Sequence, residues 1–150
     1  MKVVVCIRQS ADGEINPFDA SAYETALKIN GAEITLLSMG PQKTAAFLEN
    51  LTRLGAKAAV LLTDKAFAGA DTLATAYTLS LAIKRLKPDL IICGRQSVDG
   101  DTGPVGPSLS VNTGYRLLTN IMSVVSFEKN IVGVNRAGET VSADFAVLIT

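Results

Sequence analysis

Residues Asp89 to Pro107 read DLIICGRQSVDGDTGPVGP, a short apolar run that passes directly into a segment holding four glycines. Leu90, Ile91, Ile92 and Cys93 are continuously apolar, the pattern of a strand covered on both faces in a parallel sheet. Gly94, Gly100, Gly103 and Gly106 follow, and glycine admits backbone conformations and close approaches that a Cβ forbids. A loop at the carboxyl end of such a strand is where open parallel sheets take ligands. The segment therefore reads as a phosphate cradle built from main-chain amides, with Gln96 and Thr102 as side-chain donors and Arg95 as the nearby cation. Asp99 and Asp101 oppose an anion unless they bond back to the loop as Asx turns. Glycine clusters also make plain turns, and that reading stands beside the first.

The chain on either side fixes the architecture. Upstream, Val3 to Ile7 is a first buried strand. Ser21 with Glu24 matches a capping box opening a helix that closes at Asn30-Gly31. Ile34 to Leu37 is a second strand, and Thr44, Leu48, Leu51 and Leu54 repeat at helical spacing up to Gly55. Ala58 to Leu62 is a third strand. Asp71 is a good N-cap for a helix carrying Leu73, Ala76, Ser80, Ile83 and Leu86, ended by Lys87-Pro88. Downstream the pattern predicts a short helix over 108–113 and strands over 122–127, 131–136 and 145–149, with turns at Glu128-Lys129-Asn130 and Ala137-Gly138. Strand and helix alternate through the first two thirds, so residues 1–150 are expected to form a single α/β domain. Its core is a doubly wound, mostly parallel sheet with helices on both faces, and antiparallel strands lie near the C-terminus.

Composition narrows the function. The 14 basic and 14 acidic residues cancel, which argues against nucleic acid or an anionic membrane as the main partner. Histidine is absent, removing the commonest general base and a common metal ligand, so neither metal nor catalytic histidine chemistry is expected. Cys6 and Cys93 each lie within apolar strand patterns and read as small buried hydrophobes. No apolar run approaches the roughly 20 residues that span a bilayer, and Met1-Lys2 leads straight into a strand, so a cytoplasmic protein without membrane insertion is expected.

Nucleotide chemistry is narrowed as well. No G-x-x-x-x-G-K-[ST] loop is present, and Arg8-Gln9-Ser10 stands where a dinucleotide fingerprint would follow the first strand. No serine, cysteine or lysine occupies a recognisable nucleophile setting. Ligand binding without catalysis remains. A nucleotide lying across the carboxyl edge would bring its base to the ends of the first two strands, near Cys6, Asn16 to Asp19 and Met39.

These stretches, namely VVVCIRQ (Val3 to Gln9), INPFD (Ile15 to Asp19), SMGP (Ser38 to Pro41), AGADTLATAYTL (Ala68 to Leu79) and GRQSVDGDTGPVGP (Gly94 to Pro107), closely resemble the beta subunit of electron transfer flavoproteins. The likeness covers nearly all of the first 115 residues, and Val134 to Thr150 looks like a compressed return to the core sheet. The resemblance implies an adenine-nucleotide alpha-hydrolase-like fold and an electron-carrier subunit, not an enzyme. Such a subunit holds AMP or a second FAD and pairs with an alpha subunit as a heterodimer. On the family pattern Cys6 and the segment Asn16, Pro17, Phe18 and Asp19 face the adenine or its ribose, and Met39 flanks them. The loop of Gly94, Arg95, Gln96, Asp99, Gly100, Asp101, Thr102, Gly103 and Val105 binds phosphate, with Gly106 completing the cradle. The DGDTG form of Asp99 to Gly103 looks more like the bifurcating branch, which tilts the cofactor towards FAD.

Three departures accompany the likeness. Only six residues separate Gln9 from Asn16, where the family has a longer excursion with a hairpin. Pro104 stands where glutamine is usual, removing a side-chain amide and a backbone N–H. The family also continues past the point where this chain stops, into a dehydrogenase-recognition loop and an arm around the alpha subunit. A stand-alone adenine-nucleotide sensor resembling universal stress proteins, acting as a homodimer, is the alternative, and a nucleotide-dependent enzyme is a third.

Overall fold

The structure is a computed structural model that describes residues 1–10, 12–65, 72–94, 105–128, 131–136, 138–144 and 146–150. In chain order its elements are β1 (Lys2–Cys6), α1 (Pro17–Leu27), β2 (Glu33–Met39), α2 (Thr44–Thr52), β3 (Ala58–Leu62), α3 (Thr72–Leu86), β4 (Leu90–Cys93), α4 (Val105–Thr113), β5 (Arg116–Leu118), β6 (Ser123–Glu128), β7 (Ile131–Arg136), β8 (Glu139–Asp144) and β9 (Val147–Ile149). Six strands form one sheet in the order β3-β2-β1-β4-β9-β5, and β6-β7-β8 form a second sheet. Every pairing in the large sheet is parallel, and both pairings in the small one are antiparallel.

The apolar runs explain this order. All four residues of β4 are buried, and Val3, Val4 and Val5 of β1 are essentially inaccessible. Strands so apolar on both faces belong in the middle of a sheet with helices above and below. Val3, Val5, Ile34, Leu36, Leu90 and Ile92 point to one side, where Ala22, Tyr23 and Ala26 of α1 and Leu48 of α2 cover them. Val4, Leu37, Ile91 and Leu148 point to the other, beneath Ala76, Leu79 and Ile83 of α3 and Leu109 of α4. Val134 and Ala143 of the small sheet join the first of these cores. The chain thus winds outward in both directions from β1 and β4, as right-handed crossovers require.

Several local expectations are corrected. The first helix begins at Pro17, four residues before the capping box that Ser21 and Glu24 suggested, because Pro17 supplies a preset φ at the first helical position. Asn16 is the N-cap residue, and its carbonyl accepts the first helical bond from the Ala20 N–H at 2.9 Å. Ser21 lies inside the helix, with its carbonyl accepting from Thr25 Oγ1. In α3 the buried stripe runs through Ala76, Leu79, Ser80 and Ile83, while Leu73 is 70% exposed. Asp71, the expected N-cap, lies outside the described residues.

Near the C-terminus two strands were not anticipated, β5 and β8. The strand expected over 145–149 is the shorter β9, which inserts between β4 and β5. The hairpin of β7 and β8 closes with Arg136 opposite Glu139, as the turn at Ala137-Gly138 predicted.

Candidate functional site

The connection from β1 leads to β2 on one side, whereas β4 pairs with β1 on the other and sends the chain to the far edge. The direction of winding thus reverses between β1 and β4, and open parallel sheets take ligands outside the carboxyl ends of strands at such a point. Cys6 and Cys93 end these two strands as register partners. Cys93 is buried, and its contact with Cys6 together with burial pushes its thiol well above the ordinary range. A thiol held protonated in this way is a packing group, as its apolar setting in the sequence predicted.

Asp19 ties the ends of these two strands together. It sits in the first turn of α1 and is 6% exposed. Its Oδ2 accepts a hydrogen bond from the Arg8 backbone N–H at 2.8 Å, just beyond β1. The side chain of Asn16 and the N–H of Gly94, just beyond β4, also bond to this carboxylate. Burial nevertheless outweighs these bonds and the Arg8 charge, and the Asp19 pKa is raised to about 6. One buried carboxylate therefore joins the ends of β1 and β4 to the start of α1.

Two of the candidate cradle glycines answer to packing. A Cβ at Gly94 would collide with Asp19 Oδ1 and lie 3.0 Å from the Asp19 nitrogen, so α1 can dock on β4 only if this position is bare. A Cβ at Gly106, in the first turn of α4, would stand 2.6 Å from Thr150 Cγ2. Val105 begins α4 and packs against the core on that face. Pro17 is exposed, Phe18 is half-buried, and Met39 ends β2, half-buried. The structure thus gathers Cys6, Asn16, Asp19, Met39 and Gly94 at one rim of the sheet, with Val105 and Gly106 opening the helix that follows β4. Arg95, Gln96, Asp99, Gly100, Asp101, Thr102 and Gly103 lie outside the described residues.

The same rim holds a cleft at the carboxyl ends of β1 and β2. It encloses about 360 Å³ and is lined by the β1–α1 turn, through Arg8, Gln9, Ser10 and Gly13, and by the segment from Ser38 to Thr44 after β2. The shortened excursion after β1 forms a small closed turn. Gln9 bridges Ile15 in antiparallel fashion, the Ser10 N–H donates to Glu14 O at 2.8 Å, and the Gly13 N–H donates to Ser10 O at 2.9 Å. Gln9 fastens this turn to α2: its Oε1 accepts from Thr44 Oγ1 at 3.2 Å, while its Nε2 donates to Gly13 O at 3.0 Å.

Ser10 is 8% exposed and Ser38 is 2% exposed, and among the described residues neither hydroxyl has a hydrogen-bond partner. Buried hydroxyls without partners are rare in native proteins. Only burial reveals them, since an isolated serine at the end of a strand carries no pattern of its own. Among the described residues no three His, Cys, Asp or Glu side chains are grouped to hold a metal ion, and no helix is long and apolar enough to cross a membrane.

Comparison with known proteins bears on what this rim serves. Residues 3–148 match the family described as the electron transfer flavoprotein domain. The chain is 45% identical over 121 residues to an electron transfer flavoprotein subunit beta of Clostridium acetobutylicum, an alignment covering 79% of this chain and 47% of that protein. It is 39% identical over 142 residues to Protein FixA of Azotobacter vinelandii, covering 89% of this chain and 50% of the relative. A subunit beta of Megasphaera elsdenii is 39% identical over 159 residues, covering 96% and 58%. The chain spans about half the length of the curated relatives it matches.

Proposed function

This chain belongs to the electron transfer flavoprotein domain family, and from that premise we propose that it acts as a beta-subunit-like carrier. It binds an adenine nucleotide, AMP or FAD, at the carboxyl rim of its large sheet, and it takes part in flavin-mediated electron transfer with an alpha subunit. The stand-alone sensor is not favoured by the matched family.

The observation that carries this reading is the cleft at the carboxyl ends of β1 and β2. Its volume of about 360 Å³ lies within the range of small-ligand sites, roughly 300–1,000 Å³. Met39 and Pro41 offer apolar surface, and among the described residues the charged groups of the lining are Arg8 and Lys43, both cationic. That donor set fits a planar base attached to an anionic tail.

Bound flavin supplies the redox chemistry in proteins of this kind. The chain's own groups bind and orient. Asp19 fixes the ends of β1 and β4 at a set separation through Arg8 and Gly94. Gly94 lets α1 approach closely enough for that bond, and the segment from Gly94 to Gly106 is the one we assign to the phosphate. No acid, base or nucleophile of the chain is required.

Co-expression with an electron transfer flavoprotein alpha subunit, followed by capture of one chain, tests the proposal. A stoichiometric pair carrying a flavin absorbance band supports it. A chain recovered alone, without flavin or adenine nucleotide, overturns it.

A further inference from the structure

We propose that the free edge of β3 is a self-association surface, on which a second copy of this chain adds its own β3 in antiparallel fashion across a two-fold axis at Val60. The inference stands apart from the nucleotide reading, since it concerns the side of the large sheet and not its carboxyl rim.

Strand β3 ends the large sheet, and among the described residues β2 is its one neighbour. Its sequence, Ala58-Ala59-Val60-Leu61-Leu62, is wholly apolar, yet Ala58 and Ala59 are exposed and the other three are only half-buried. Edge strands are usually blunted by brevity, charge, proline or a bulge, because their unpaired amides are a template for another strand. The opposite edge follows that rule, since β5 has three residues and starts with Arg116. β3 carries no charge and no proline, and its register with β2 is continuous.

Which amides of β3 are open follows from the bonds of its neighbour. In β2 the Glu33 N–H donates to Met1 O at 2.7 Å and Leu37 O accepts from the Ile7 N–H at 2.8 Å, so the odd-numbered residues serve β1. The even-numbered ones serve β3: Ile34 O accepts from the Lys57 N–H, and the Gly40 N–H donates to Leu62 O. With Met39 in register with Leu62, the residues that turn their amides to β2 are Ala58, Val60 and Leu62. Ala59 and Leu61 therefore present theirs to the open edge.

A copy of β3 fits that edge residue for residue. Pairing about a two-fold sets the same patch against itself. With the axis at Val60, Ala59 lies opposite the second copy's Leu61 and Ala58 opposite its Leu62. Each leucine then meets an alanine, the two valines meet each other, and the whole strand overlaps. Ala59 and Leu61 become the hydrogen-bonded pairs. An axis at Leu61 would oppose two leucines, and one at Ala59 would leave Leu62 beyond the partner strand.

The surroundings also suit a second copy. A groove of about 550 Å³ runs between α2 and the strand, bordered by Ala45, Glu49, Thr52 and Arg53 on one side and Ala59 and Leu61 on the other. Among the described residues its charged groups are Glu49, Arg53 and Lys57, and Lys57 lies 3.4 Å from Glu33. Two acids and two bases balance, so the surface does not repel itself and offers no net field to a strongly charged partner. The register also sets Lys57 opposite Thr63, not opposite another lysine. Because the strands run in opposite directions, the carboxyl rims of the two sheets point apart and neither takes part in the pairing.

The test is sedimentation equilibrium of the full chain over a wide concentration range, with A59P and A58K measured beside it. A mass rising from one chain to two is expected. Ala59→Pro deletes an outward N–H and no ladder bond to β2, the setting in which a sheet edge tolerates proline. It removes one pairing bond from each copy and should weaken association by about 5- to 160-fold, the worth of two net hydrogen bonds. Ala58→Lys puts a lysine on the exposed edge and should weaken association as well. It carries the test if circular dichroism shows A59P unfolded. Amide exchange reads the register: the Ala59 and Leu61 N–H groups should be protected at high concentration and exchange on dilution, while Val60 and Leu62 stay protected throughout. A single-chain mass at every concentration overturns the inference. A dimer that the folded variants leave intact overturns it too, by placing the contact elsewhere, and so does exchange at Ala59 and Leu61 that ignores concentration.

Discussion

The carboxylate of Asp19, on α1, accepts the backbone N–H of Arg8 at 2.8 Å, and through that bond the first helix of the chain is anchored to the end of its first strand. The same carboxylate bonds to the N–H of Gly94 beyond β4, so one side chain spans the point where the two halves of the sheet part. Burial of this group has a consequence in pH. Its folded pKa of about 6 lies above the unfolded value of 3.8, so the folded state holds the proton more tightly. Stability is then greatest below the unfolded value and falls as pH rises through the window from 3.8 to about 6. At about 1.4 kcal/mol per pKa unit this amounts to roughly 3 kcal/mol. Urea unfolding between pH 4 and pH 7 should show this decline in the unsubstituted chain, and D19N, which keeps an acceptor oxygen but cannot ionise, should lose that component.

Gly94→Ala should destabilise the domain by about 1–3 kcal/mol, as overpacking does, because the added Cβ meets Asp19 and the backbone of α1 directly. Thermal unfolding checks this. A cradle glycine serving only a ligand would instead leave the melting temperature of the free protein unchanged.

Tyr23→Phe separates stability from binding. Tyr23 Oη donates to Leu51 O at 2.5 Å and accepts the Ala56 N–H at 3.2 Å, pinning the end of α2 to α1 far from the rim. Its removal leaves two backbone groups without that partner and should lower stability by about 1–3 kcal/mol. AMP affinity measured by titration should be unaltered.

Much of this was legible in the residues, and the exceptions have physical reasons. The LIIC run of β4 and the AAVLL run of β3 were read with their observed bounds, because a continuous apolar stretch between turn signals leaves few alternatives. The short β5 escaped because three residues at a sheet edge carry no periodicity, and β8 because ETVSAD is polar in a hairpin. At the rim, Cys6, Asn16, Asp19, Met39 and Gly94 were singled out and do lie together. What could not be read was that Asp19 binds the protein's own backbone, or that Ser10 and Ser38 are buried without partners among the described residues. Both depend on which loops meet across the sheet, and that is set by strand order, not by local pattern.

Saturating AMP should stabilise the chain. At a ligand concentration one hundred times the dissociation constant, mass action raises the unfolding free energy by about 2.7 kcal/mol. A thermal-shift series should follow that dependence.

The most direct test of the account is amide chemical-shift mapping of the isotope-labelled chain during AMP titration. The account predicts that the largest perturbations fall on Cys6 to Ser10, Met39 to Thr44 and Gly94, all at the carboxyl ends of β1, β2 and β4. Perturbations confined to the opposite rim, around Met1, Ala32 and Asp89, or no perturbation at saturating nucleotide, would contradict it.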